Sequence, residues 1–129
     1  MFLYHVTPAS NEDSICSSGL LLRYAQTVDP AVYAAAYPRL IWAVEHTRRR
    51  HRADILSVFE LDVDLSVLPF RPVSSLPGLW SCPVDVPPDR LKLVARLCPP
   101  TRSLEVLSAY ASSLLFFVLS HYAPNVTYI

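Results

Sequence analysis

Two glycines, Gly19 and Gly78, serve all 129 residues, set against twelve prolines. Glycine is the residue that adopts positive φ without strain, so each of the two is expected where the backbone requires it. The shortage also removes a class of function. Phosphate cradles of the GxGxxG or GxxxxGK[ST] kind need several glycines close together, and this chain has no such group. A nucleotide bound here would have to be held by side chains and strand edges.

The prolines and Gly19 divide the chain. Residues 2–6 (FLYHV) read as a strand by β-propensity and end at Thr7-Pro8. Ser10 is placed to cap a helix whose first turn holds Glu12 and Asp13, where acids complement the dipole. That helix should run to about Ser18, face the core with Ile15 and stop at Gly19. Asp29-Pro30 resembles a cap followed by a first-turn proline, predicting a short helix over 30–36. Residues 39–44 (RLIWAV) are the next strand candidate, and 45–54 the next helix, with Thr47 a candidate cap.

From Phe59 to Leu65 apolar residues alternate with Glu60, Asp62 and Asp64, predicting a strand over 55–66 with one wet face. A proline-rich loop over 67–78 follows, with a short edge strand as an option. Residues 79–97 then read as strand, Pro87-Pro88 turn, strand, because paired prolines cannot sit inside a central ladder. Residues 103–123 predict an apolar helix capped by Ser103, with Val106, Leu107, Tyr110, Leu114, Phe117 and Val118 along one face. At about 20 residues it reaches bilayer length, but Glu105 and four serines dilute it. A buried or partner-covered helix is the preferred reading over a membrane span.

These elements fit one domain over 1–129, with a core about 3–97 and the helix about 103–123. The class is α+β with a mixed or antiparallel sheet, since the connectors do not form regular βαβ units. Hydrophobic residues make up 52% and mean hydropathy is +0.29, which excludes disorder. Eleven basic and eleven acidic side chains cancel, so bulk charge gives no general attraction to polyanions. Three cysteines without metal-site spacing suggest buried thiols in a reducing compartment. With no basic n-region or long apolar stretch near the start, a cytoplasmic location is expected.

Chemistry concentrates in two stretches. Between Tyr4 and Val6, His5 reads by itself as a hydrogen-bonded core histidine; its place where a strand meets a loop, where pockets form, raises the ligand reading. The segment RLIWAVEHTRRRHR combines Trp42 with Arg48, Arg49, Arg50, Arg52, His46 and His51. It is either a solvated helix face or a patch for phosphates or nucleic acid.

The stretch LYHVTPASNEDSICSSGL resembles the N-terminal motif of the ADP-ribosyltransferase-like superfamily, through His5, Thr7, Asn11, Ser14, Ile15, Gly19 and Leu20. PRLIWAVEHTRRRHRADILSVFELDVD and GLWSCPVDVPPDRLKLV are similar to later motifs in the same order, so the resemblance spans about residues 3–95. It implies a split antiparallel sheet with a cleft for NAD as substrate. His5 would bond a ribose hydroxyl, with Thr7, Gly19 and Arg23 beside it. The family's second-strand aromatic, which stacks on nicotinamide, maps to Trp42. An acceptor nucleophile, on protein or nucleic acid, attacks the ribose as nicotinamide leaves, and a glutamate stabilises the oxocarbenium-like state. Microbial toxins and effectors are among its members.

That glutamate is expected near Leu79 or Trp80, where this chain has GLWSC, and the first acid to follow is Asp85. Asp85 or another acid therefore substitutes, the position lies elsewhere, or activity is lost and the domain is a binding module. RNA 2′-phosphotransferases, a branch without that glutamate, are similar through Gly78-Leu79-Trp80…Val86-Pro87-Pro88. They would use Arg23, Arg39 or the 48–52 cluster for a phosphate. Setting the resemblance aside leaves an interaction module that meets a partner or a second copy through helix 103–123.

Overall fold

The computed structural model describes residues 1–25, 29–99, 102–108 and 113–128. Eight strands form one sheet in the order β4-β5-β2-β1-β3-β6-β7-β8. They are β1 Phe2–Pro8, β2 Val32–Ala35, β3 Leu56–Asp62, β4 Arg71–Pro72, β5 Leu79–Cys82, β6 Leu91–Cys98, β7 Ser103–Val106 and β8 Asn125–Tyr128. Three α-helices accompany them among the described residues: α1 Glu12–Ser18, α2 Leu40–His51 and α3 Ser113–Tyr122. All pairings are antiparallel except β7 with β8, so the expected α+β class with a mixed sheet is what the chain adopts.

Alternation along β1 sorts side chains onto two faces. Tyr4 and Val6, with Leu56 and Val58 of β3, pack under Leu40, Ala43 and Val44 of α2 and Leu115 and Leu119 of α3. Leu3, with Phe59 and Leu61, packs on the other face with Ile15 of α1, Leu68 and Phe70. Because β3 lies between β1 and β6 and both faces are covered, Leu56 to Leu61 are all buried, Glu60 included. The wet face expected for this strand is therefore lost at Glu60 and kept at Asp62 and Asp64. Asp62 at its end is exposed, as are Ile55 and Leu65, which flank it.

Three expectations are corrected. Residues 32–35 form strand β2 rather than a helix over 30–36, because Val32 to Ala35 pair in full with Cys82 to Leu79. Residues 39–44 are not a strand; they open α2, which buries Leu40, Ala43, Val44 and Thr47. Those positions follow the i, i+3, i+4, i+7 spacing of a helix, and Thr47 lies inside it, donating to the Ala43 carbonyl at 2.7 Å. Residues 103–123 divide into β7 and α3, with Tyr110 outside the described residues.

The first helix starts one residue later than a Ser10 cap would have it. A 3₁₀ turn Ala9–Asn11 leads in, and Asn11 occupies the cap position without a capping side-chain bond. Gly19 ends α1 at φ 80°, as expected. A Cβ there would lie 2.0 Å from the Val86 carbonyl oxygen. That close approach allows the two-way bridge Leu20 N–Val86 O and Val86 N–Leu20 O, each 2.9 Å. Cys82 is buried as expected, but Cys16 is exposed. No helix among the described residues is long and apolar enough to cross a membrane.

Candidate functional site

The two edges of β1 differ. Toward β3 it pairs over seven residues, Phe2↔Asp62 to Pro8↔Leu56. Toward β2 it pairs at Tyr4↔Ala35 alone. Continued register would set Val6 opposite Tyr33, but the strands separate there and the sheet opens. The Tyr33 carbonyl, left by the interrupted ladder, still needs a donor. His5 supplies one: its Nδ1 lies 2.8 Å from Tyr33 O.

A carbonyl oxygen can only accept, so Nδ1 carries the proton and Nε2 holds the lone pair of a neutral ring. Enclosure by protein pushes the His5 pKa below its ordinary value of 6.5, against a smaller raising effect of the Tyr33 carbonyl. The ring is therefore a neutral hydrogen-bond acceptor at physiological pH, fixed in one tautomer.

A cleft of about 660 Å³ occupies the opening, within the range of small-molecule sites. His5 and Thr7 of β1 form one wall, with Asn11, Ser14 and Ile15 from α1 and its lead-in turn. Residues 19–21, Tyr24, Ala25 and residues 31–33, Tyr33 among them, complete the lining on the other sides. Arg50 and His51, from the last turn of α2, close the remaining side. Thr7 is buried and accepts from Asn11 Nδ2 at 3.0 Å, which fixes the lead-in turn against the strand. Among the described lining residues there is no Asp or Glu.

Beside the cleft a polar row crosses the sheet. Thr7 faces Ser57, Ser57 faces Arg96, and Arg96 faces Glu105 in successive register pairs. Glu12, in the first turn of α1, receives Arg96 Nε at 2.7 Å and Nη2 at 2.8 Å and also accepts from Ser57 Oγ. The paired guanidinium holds the Glu12 carboxyl below the usual range, against the raising effect of burial. This bidentate pair ties α1 to β6, and with α1 the cleft wall that carries Asn11 and Ser14.

Of the six residues expected to bind NAD or act on it, His5, Thr7 and Gly19 meet at the cleft, together with Asn11, Ser14, Ile15 and Leu20 of the same motif. Arg23, Trp42 and Asp85 do not line it. Arg23 has its guanidinium 4.9 Å from the Tyr24 ring centroid. Trp42 is on α2, stacked on His46 at 4.7 Å and beside the Arg39 guanidinium at 5.7 Å. Asp85 accepts the Leu22 amide at 2.7 Å, fastening the strip that follows Gly19 to the strip that precedes Pro87.

The aromatic residue on the second strand in space and sequence is Tyr33, not Trp42. It was concealed by the Asp29-Pro30 helix signal, although Val32-Tyr33 carries β-propensity. Arg50 and His51 were visible only as members of a basic run; their place at the cleft depends on where α2 ends. Comparison with protein-family models and with curated proteins gives no match to this chain.

Proposed function

We propose that the cleft binds NAD in the manner of ADP-ribosyltransferase-like proteins, with transfer of ADP-ribose to an acceptor as its activity. The observation that carries this reading is the 2.8 Å contact of His5 Nδ1 with the Tyr33 carbonyl at the point where β1 and β2 part, which leaves Nε2 as the acceptor of a neutral ring. Its Nε2 accepts a hydrogen bond from a ribose hydroxyl, which a protonated ring could not. Tyr33, beside it on β2, offers an aromatic face for the nicotinamide. The short β1–β2 pairing and the Gly19 turn support the same reading, since both border the cleft.

A second reading, binding without turnover, is favoured by the lack of a carboxylate among the described lining residues. Asp85 supports it further, because its Oδ1 is engaged with a backbone amide.

Isothermal titration with NAD, followed by chromatographic assay of nicotinamide release, tests both. The expected result is saturable binding by the wild type and a loss of tenfold or more in His5→Ala, the order of one hydrogen bond to a buried acceptor. Absence of binding overturns the NAD reading. Binding with no nicotinamide release in the presence of candidate acceptors replaces transfer by the binding reading.

A further inference from the structure

Transfer of ADP-ribose to a hydroxyl or to water releases a proton, and no described residue lining the cleft carries a carboxylate to take it. We infer that His51, at the end of α2, is the general base of this cleft and accepts that proton as the new bond forms. The inference rests on the NAD reading of the same cleft and adds the group that activates the acceptor.

Histidine is the side chain that ordinarily changes charge near neutral pH, and the described lining holds two, His5 and His51. His5 is committed on both nitrogens: Nδ1 to the Tyr33 carbonyl and, in the NAD reading, Nε2 to a ribose hydroxyl. That leaves His51 for the proton. It is the last residue of α2, because Arg52 turns the chain out of the helix at φ 50°. His51 there both lines the cleft and is exposed, so a proton taken up inside passes on to solvent.

A basic residue in the last turn of a helix also complements the dipole, but that role needs the charged ring. The surroundings of His51 favour the neutral one. Partial burial, then the charges of Arg50 and His46, push its pKa below the ordinary 6.5. The other titratable residues of the described lining on neighbouring elements are His5, Tyr24 and Tyr33, so no carboxylate there opposes the push. The step balances. The bond from C1′ of the ribose to nicotinamide breaks, and its electron pair leaves with neutral nicotinamide. The nucleophile's oxygen bonds to C1′, and its proton passes to a ring nitrogen of His51 and from there to water.

Nicotinamide release at saturating NAD, with water and added methanol as the nucleophiles, tests this. His51→Gln and His51→Ala should each lower kcat by about a hundredfold or more, the order of general-base catalysis. Their NAD affinity by isothermal titration should stay within about threefold of the wild type, because the base touches the acceptor and not NAD. In the wild type kcat should fall on acidification below about 6.5, and in His51→Gln the residual rate should lack that limb. Added imidazole should restore part of the rate to His51→Ala. A kcat in His51→Gln within about twofold of the wild type, or the same acid limb in that variant, overturns the inference and leaves the NAD reading standing. Loss of NAD affinity in His51→Gln, as in His5→Ala, overturns it too and makes His51 a binding residue. NAD binding by the wild type without nicotinamide release overturns it in favour of binding without turnover. Absence of NAD binding by the wild type overturns the NAD reading itself, and the role of His51 with it.

Discussion

One strand, β1, has a closed edge and an open edge. Against β3 it makes seven register pairs; against β2 it makes one, and a histidine ring takes over where the ladder stops. The difference follows from the residues. On the closed side Leu3, Phe59 and Leu61 share one apolar face, so pairing and burial reinforce each other. On the open side the ladder stops at Tyr4↔Ala35, and beyond it the His5 ring bonds the Tyr33 carbonyl directly. The longest ladder runs along the closed edge, and the cleft lies along the open one.

The sharpest way to break this contrast is to truncate the closed edge. Phe59 is 1% exposed at the centre of the sheet. Phe59→Ala should cost about 3–5 kcal/mol in urea denaturation, whereas Tyr33→Ala, on the open edge, should cost less than about 1 kcal/mol. Equal losses would mean that the two edges do not divide the labour.

Gly19→Ala comes next. The new Cβ meets the Val86 carbonyl in a backbone with φ 80°, so the bridge that floors the cleft must open. A loss of at least about 2 kcal/mol is expected in the same assay. A variant as stable as the wild type would place the floor of the cleft elsewhere.

Glu12→Gln should cost about 1–2 kcal/mol, since the substitution removes a charge-assisted bidentate pair that is only partly exposed. The sign with pH is fixed. Glu12 titrates below its ordinary 4.5 in the folded chain, so its stabilisation is present above that value and is lost as pH falls through the folded pKa. His5 adds in the same direction. Its folded pKa lies below 6.5, so the unfolded chain takes up a proton first and stability declines as pH falls below 6.5. Thermal melts across pH 7 to 4 should therefore show a steady decline, shallower in Glu12→Gln at the acid end. A melt that rises on acidification would contradict both assignments.

The smallest effect is expected on α3. Leu114 and Phe117 are 51% and 63% exposed, while Leu115 and Leu119 of the same helix are fully buried. Phe117→Glu should change stability by less than about 0.5 kcal/mol, and sedimentation of the wild type at rising concentration reports whether that face meets a second copy.

Much of the closed edge was legible in the sequence, and little of the open one. β1, α1 with its Gly19 stop, β3, and the Pro87-Pro88 break between β5 and β6 each carry a local signal in propensity, alternation or a backbone requirement. β2 and α2 were exchanged in type because local signals competed there. Asp29-Pro30 and four alanines favour helix at 30–36, and IWAV favours strand at 39–44, but pairing with β5 and burial of Leu40, Ala43 and Val44 decide the outcome. Glu60 looked wet because an alternating strand does not disclose that its second face will be covered. Within the site, His5, Thr7 and Gly19 were found because they lie close in sequence. Tyr33, Arg50 and the Glu12–Arg96 pair are joined to them only by the sheet, across 28 to 84 residues of chain.

The central claim is that the open edge at His5 receives NAD, and the His5 ring reports on it directly. Nitrogen-15 spectra of the imidazoles, with His5→Ala to assign the resonance, should show His5 as the neutral Nδ1–H tautomer at pH 7. Titration with NAD should then shift its Nε2 as that nitrogen accepts a ribose hydroxyl, with the other three histidines moving less. A His5 resonance that stays fixed through saturating NAD, or that belongs to the Nε2–H tautomer, would contradict the account.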